Sequence, residues 1–133
     1  MTFIVPEWKR EYDTGVAEID LQHHFFLALI TRLNTELATC TDARYRERLL
    51  DELAKYALFH FTSEENLMIK FGYPDFDRHH KLHLELIDEL SWRTQGKSHE
   101  SFLDFLVTWF LKHTVEEDRH IGEFVRGQSV TGS

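Results

Sequence analysis

Hydrophobic residues recur three or four positions apart in four long segments, and short polar stretches separate these segments. Such spacing places the side chains on one stripe of an α-helix. The first segment runs from about Val16 to Ala38, and the second from Asp42 to about Lys70. The third follows the sequence FGYPD, and the fourth follows Ser98. The pattern predicts an all-α protein with four helices.

The polar stretches between the segments supply signals for helix ends. Asp42 and Ser98 are suitable N-caps, and the glycine and proline of FGYPD end the second helix. Because the connections are short, we expect an up-down-up-down four-helix bundle. The chain is predicted to be a single domain, 1–133, with an N-terminal arm at 1–15 that contains Trp8 and Tyr12. The bundle covers 16–125, and 126–133 form a frayed tail.

Composition narrows the range of functions. The chain has 15 basic and 23 acidic residues, a net charge of -8, which disfavours nucleic-acid binding. Its longest apolar run, Phe25 to Ile30, is far shorter than the roughly 20 residues that cross a bilayer. The N-terminus lacks the pattern of a signal peptide, and Cys40 is the single cysteine, so we expect a cytoplasmic protein without disulfides. Charged outer helix faces favour a monomer.

Histidine is the one unusual feature of the composition, with nine in the chain. Five of them occupy stripe positions where leucine or isoleucine is expected: His23, His60, His79, His83 and His113. A single such histidine is more often a core residue with a hydrogen-bond partner. Five buried imidazoles would each cost about 1–3 kcal/mol if unsatisfied. One metal ion satisfies several at once, so the pattern predicts a metal site.

Local spacing supports shared ligation on two helices. His79 and His83 are four residues apart, as are His60 and Glu64, so each pair lies on one helix face.

Spacing leaves the fourth helix open. Glu117 lies four residues after His113, whereas Asp118 lies five residues after it and about 140° away on an α-helix. Spacing alone favours Glu117 but does not decide. Glu117 and His120 also form one Glu-x-x-His pair, but ferritin-like sites need two, so we interpret this pair as chance.

Four stretches of the chain resemble the hemerythrin family, specifically the single-domain bacteriohemerythrins. They are GVAEIDLQH ending at His23, HFTSEE beginning at His60, YPDFDRHHKLH around His79 and His83, and WFLKHTVEED around His113. The resemblance extends from about Trp8 to Phe124 and preserves the order of all four stretches.

This resemblance implies a di-iron centre and identifies Asp118, rather than Glu117, as the ligand on the fourth helix. It implies two iron ions, bridged by oxide or hydroxide and by Glu64 and Asp118. It assigns three histidines to one iron and two to the other. The implied metal ligands are His23, His60, Glu64, His79, His83, His113 and Asp118.

The uneven division of histidines predicts the function. Three imidazoles, two carboxylate oxygens and the bridging oxygen fill six positions on one iron, while the other has five ligands and one open position. Neutral imidazoles push less electron density onto iron than anionic ligands do, which favours reversible dioxygen binding over oxygen activation. We expect oxygen storage, transport or delivery to an oxygen-consuming enzyme, without catalysis. The alternatives are oxygen or nitric-oxide sensing, or weak peroxidase activity, at the same site.

An apolar pocket should surround the open position and exclude water. Candidates lie one turn from the ligands, although each is equally compatible with ordinary core packing: Phe26, Phe61, Trp109, Phe110 and Ile121. His24 and His80 adjoin ligands but lie about 100° round the helix, so we expect them to face solvent.

Overall fold

The computed structural model describes residues 5–93 and 99–131 and contains four long helical regions. They are α1 (Ala17–Thr39), α2 (Ala43–Phe71), α3 (Phe76–Arg93), and a fourth region that begins with α4 (His99–His113). The fourth continues without interruption through a π-helical segment, Thr114–Asp118, into α5 (Arg119–Thr131). Helix α1 packs against α2 and α4, and α2 packs against α3. The prediction of an up-down-up-down four-helix bundle is confirmed.

Helix α2 begins and ends at the predicted residues. The carboxylate of Asp42 accepts hydrogen bonds from the backbone N–H groups of Arg44 and Tyr45, at 2.8 and 3.2 Å. Gly72 ends the helix in the left-handed conformation at φ 67°, and the N–H of Tyr73 donates to the carbonyl of Met68. The other predicted N-cap, Ser98, lies outside the described residues.

The core consists of two apolar clusters. The larger contains Phe26, Leu53, Leu86 and Phe110 among its buried members, and the smaller contains Ile19, Met68, Ile121 and Val125. Along α1, α2 and the fourth helical region, the chain passes from one cluster to the other through buried histidines and carboxylates. A polar layer therefore lies within an otherwise apolar bundle.

The described part of the N-terminal arm, residues 5–15, lies across the bundle. Val5 and Trp8 pack against the larger cluster. Both the N–H and the hydroxyl of Thr14 donate to Asp20 in the first turn of α1, at 2.7 and 2.8 Å. The carbonyl of Thr14 lies so close to Gly122 that a Cβ there would collide with it. The glycine thus lets the arm approach α5.

Helix α5 continues to Thr131, six residues beyond the predicted end of the bundle at residue 125. This stretch contains no proline, and Ile121 and Val125 continue the buried face of the helix. Arg126 also donates through Nε to the carbonyl of Gly122, at 3.2 Å. Among the described residues, no helix combines the length and apolarity that crossing a bilayer requires.

Candidate metal centre

Seven polar side chains meet in the middle of the bundle, and each has 6% or less of its surface exposed. Every helical region contributes at least one of them. They are the seven that the sequence analysis selected: His23, His60, Glu64, His79, His83, His113 and Asp118.

The π-helical segment explains why Asp118 belongs to this group. In an α-helix, Asp118 would point about 140° away from His113. In a π-helix, each N–H bonds to the carbonyl five residues earlier, so that residues i and i+5 come onto one face. Thr114–Asp118 adopts this form, and an oxygen of Asp118 lies 3.0 Å from Nε2 of His113.

Glu117 points away from the cluster. It is half-buried and receives two hydrogen bonds from the guanidinium of Arg78, at 2.6 and 2.8 Å. The Arg78 guanidinium holds the pKa of the Glu117 carboxyl below its usual range. Glu117, which α-helical spacing favoured as a ligand, therefore forms an ion pair with Arg78 of α3 instead.

The seven side chains form two overlapping groups. One holds three histidines and the other two, and both include Glu64 and Asp118. Glu64 divides its oxygens between the groups. Its Oε1 lies 2.8 Å from Nε2 of His79 and 3.1 Å from Nε2 of His83, whereas Oε2 faces His60 at 3.6 Å.

Asp118 repeats this arrangement from the opposite side of the centre. Its Oδ1 lies 3.1 Å from Nε2 of His79 and 3.0 Å from Nε2 of His113, while Oδ2 lies 3.0 Å from Nε2 of His23. Each carboxylate therefore directs one oxygen towards the three-histidine group and the other towards the two-histidine group.

The donor atoms have the spacing of ligands around metal ions. Nε2 of His23 and Nε2 of His60 are 3.1 Å apart, as are those of His79 and His113. Two donors at right angles, each about 2.1 Å from one ion, are about 3 Å apart. Among the described residues, Oε2 of Glu64 is buried without a hydrogen bond. A cation would satisfy such an atom, so these residues fit a metal.

The pKa values of the cluster suit metal binding. Burial opposes charge on both carboxyls, yet nearby histidines outweigh it, lowering the pKa of Glu64 to about 2 and that of Asp118 well below its usual value. Burial lowers the pKa of His60 to about 4, so its imidazole is neutral. Burial also opposes charge on His79, but the hydrogen bonds that its imidazole donates to Asp118 and Glu64 raise its pKa to about 10. Metal binding would displace that proton.

Sequence reasoning missed two residues that contact ligand histidines at Nδ1, the ring nitrogen that faces away from the cluster. Oε1 of Gln22 lies 2.8 Å from Nδ1 of His60, and Oε2 of Glu65 lies 2.7 Å from Nδ1 of His83. Each adjoins a cluster residue in sequence but contacts a histidine on a neighbouring helix. The sequence shows only that a polar residue adjoins a ligand in each case. Which histidine that residue contacts depends on how the helices pack.

The five predicted pocket residues occupy three different places. Phe110 lies 5.3 Å from His23 and 4.9 Å from Phe26, measured between ring centroids, on the two-histidine side. Phe61 and Trp109 stack on imidazoles of the three-histidine side, and the Phe61 ring also lies 5.7 Å from that of His60, measured between centroids. Ile121 belongs to the smaller apolar cluster. The structure thus places Phe26 and Phe110 beside the group with fewer histidines.

His24, His80 and His120 lie outside the two groups. Their side chains are 51%, 42% and 66% exposed, as expected for the first two from their position on the helix.

Fold and site together define a histidine-rich four-helix bundle with a buried cluster able to hold metal. The hemerythrin HHE cation-binding domain matches residues 14–125, and the chain belongs to this family.

Individual relatives agree with this assignment. The chain is 28% identical to the bacteriohemerythrin of Clostridium acetobutylicum over 122 residues, covering 84% of this chain and 95% of that protein. It is 30% identical to the bacteriohemerythrin of Pseudomonas aeruginosa over 124 residues, covering 90% and 80%. A crystal structure of wild-type hemerythrin superposes with a TM-score of 0.81 at 26% identity, covering 90% of this chain and 97% of that one. The resemblance drawn from the four sequence stretches is confirmed.

Proposed function

We propose that the chain binds dioxygen reversibly at a di-iron centre. His79, His83 and His113 would hold one iron, and His23 and His60 the other. Glu64 and Asp118 would bridge the two irons, together with an oxide or hydroxide. The supporting observation is that both carboxylates divide their oxygens between a three-histidine group and a two-histidine group.

The uneven division of histidines supports binding of a small ligand on one side. If two irons bind, three imidazoles, two carboxylate oxygens and a bridging oxygen would supply six ligands on the three-histidine side. The two-histidine side has one ligand fewer, and an open position distinguishes a reactive site from a closed structural one. When bound, the iron pair supplies the electrons that hold dioxygen.

The surrounding residues favour reversible binding. Phe26 is fully buried, Phe110 is 2% exposed, and both lie beside the two-histidine group. An apolar wall excludes water from the open position and slows irreversible oxidation of the metal. Five of the seven proposed ligands are imidazoles, which push less electron density onto iron than anionic ligands do, and this favours a carrier. The proposed role is oxygen storage, transport or delivery to an oxygen-consuming enzyme, by a monomer in the cytoplasm.

Metal analysis with optical spectroscopy tests the proposal. The purified protein should contain about two irons per chain and show oxo-bridge charge-transfer bands. Reduced protein should develop colour in air and lose it reversibly under vacuum. Irreversible oxidation on first exposure, or one zinc per chain, would contradict the proposal.

A pair of histidine variants supplies the control. His60→Ala should lose iron from the two-histidine side and with it the reversible colour change. His120→Ala removes a histidine whose side chain is 66% exposed and should behave like the parent protein. Equal loss in both variants would show that the cluster is not the site.

A further inference from the structure

The two sides of the centre differ in the groups that lie behind their histidines. On the three-histidine side, Nδ1 of His83 donates to the carboxylate of Glu65 at 2.7 Å. On the two-histidine side, Nδ1 of His60 lies 2.8 Å from the amide oxygen of Gln22. A carboxylate and an amide oxygen only accept hydrogen bonds, so both histidines carry their proton on Nδ1 and present Nε2 to the centre. One acceptor is therefore charged and the other neutral.

Both acceptors are fixed by further contacts. Nε2 of Gln22 donates to Ser63 Oγ at 2.9 Å, and the hydroxyl of Tyr56 donates to the Gln22 carbonyl, also at 2.9 Å. The side chain of Glu65 is only 16% exposed, and its Oε1 lies 2.9 Å from Nδ1 of His80.

The His83 ring is also held from its face. It stacks on Phe61 with 4.0 Å between centroids and 9° between planes. Tilting the ring away from Glu65 would break this stacking. The hydrogen bond between His83 and Glu65 therefore lies in a fixed, poorly solvated environment, where charge acts strongly.

A charged acceptor changes the basicity of the imidazole that donates a hydrogen bond to it. Hydrogen bonding to a carboxylate raises the basicity of a metal-binding histidine, and an amide does so less. A more basic ligand stabilises the more highly charged state of the metal, because hydrogen bonds around a site tune its reduction potential. The side with more histidines thus also has the stronger donor.

We propose that Glu65 is a positioning residue that acts through His83 to favour the ferric state of the three-histidine side. Gln22, as a neutral acceptor, leaves the two-histidine side the weaker electron donor. The inference rests on the proposed di-iron function. It concerns the reduction potential of the iron centre, which the number of ligands alone does not set.

Glu65→Gln tests the inference with an almost isosteric change. The amide oxygen can still accept from His83, so the ring keeps its place while the charge is lost. We expect metal affinity to fall about tenfold. We also expect the midpoint potential to rise, and a tenfold change in preference for ferric over ferrous iron equals about 59 mV for one electron. Glu123→Gln is the control, since it removes the same charge from a side chain that is 58% exposed.

Gln22→Glu provides the reciprocal test. A carboxylate at this position can accept from both His60 and Ser63, and it should lower the potential. Thermal unfolding of the metal-free variants shows whether the fold is retained. If Glu65→Gln and Glu123→Gln change the potential equally, the inference is wrong even when both proteins bind oxygen reversibly, and the proposed function then stands. A parent protein without iron would overturn both.

Discussion

Glu117 and Asp118 are adjacent in the chain but lie in different environments. Asp118 is 1% exposed and contacts three histidines, whereas Glu117 is half-buried and pairs with Arg78. Helical spacing could not separate them because it assumes 100° for each residue. Family resemblance selected Asp118, and the backbone form of Thr114–Asp118 supplies the physical reason.

Asp118→Asn should lower the iron content well below that of the parent protein. The asparagine keeps the size of the side chain but lacks the charge and the second oxygen that bridging requires. Glu117→Gln is the matched control and should retain iron, with a stability loss of at most about 1 kcal/mol, because Arg78 is half-exposed. Iron per chain, measured by elemental analysis, checks both. Equal iron content in the two variants would contradict the assignment of Asp118.

Hydrophobic periodicity predicts buried positions most reliably where a helix is regular. Residues spaced alternately four and three apart along α1 are all buried: Ile19, His23, Phe26, Ile30, Leu33 and Leu37. On α2, Tyr56 and Leu67 are only half-buried, whereas the next residues, Ala57 and Met68, are fully buried. Spacing therefore predicts the buried face of a helix to within about one residue. Packing against neighbouring helices determines which residues lie at the centre of that face.

The π-helical segment should tolerate loss of one residue. It fits five residues into about the turn that four occupy in an α-helix, so deleting the exposed Glu116 should leave a regular helix with Asp118 four residues after His113. Helix α5 would then keep its buried face. We expect iron content and cooperative unfolding to be retained, as measured by elemental analysis and circular dichroism.

Deletion of Lys81 is the control. This residue is also exposed and also lies between two histidines of the centre, but within the regular helix α3. Its loss rotates His83 and everything after it by about 100°, which should abolish iron binding and lower stability. If the two deletions were equally damaging, the π-helical form would not be what brings Asp118 onto the face of His113.

Close contact between the arm and α5 makes Gly122 sensitive to substitution. Gly122→Ala should destabilise the protein by about 1–3 kcal/mol, because its Cβ would collide with the carbonyl of Thr14. Gly127→Ala should stabilise it by up to about 1 kcal/mol, since that helical position has open space for a Cβ. Urea denaturation measures both. A neutral effect of Gly122→Ala would mean that the arm shifts without cost.

In the whole molecule, the polar layer separates two apolar clusters. Its side chains occupy positions that leucine or isoleucine would fill in an ordinary bundle. Buried polar groups reduce stability unless they have partners, so the stability of this fold should depend on metal. This dependence was predictable from five histidines on hydrophobic stripes. The outer hydrogen bonds of Gln22 and Glu65 were not, because they join residues on different helices.

Metal removal should therefore lower the urea concentration at which the protein unfolds. A ligand that binds only the folded state adds about 2.7 kcal/mol at one hundred times its dissociation constant. We expect the iron-loaded protein to unfold at higher urea concentration than the chelated protein, with the difference reduced in His60→Ala. Identical midpoints with and without metal would show that the cluster is satisfied by its own side chains.

The division of oxygens within Glu64 and Asp118 has a consequence for assembly of the centre. An ion bound by His79, His83 and His113 would fix both carboxylates, and their second oxygens would then face His23 and His60 in the required orientation. The first binding event thus bears the entropic cost of ordering the carboxylates for the second. Occupancy of the two positions becomes thermodynamically coupled, and the coupling is reciprocal. A chain supplied with too little iron should populate empty and doubly occupied molecules at the expense of singly occupied ones.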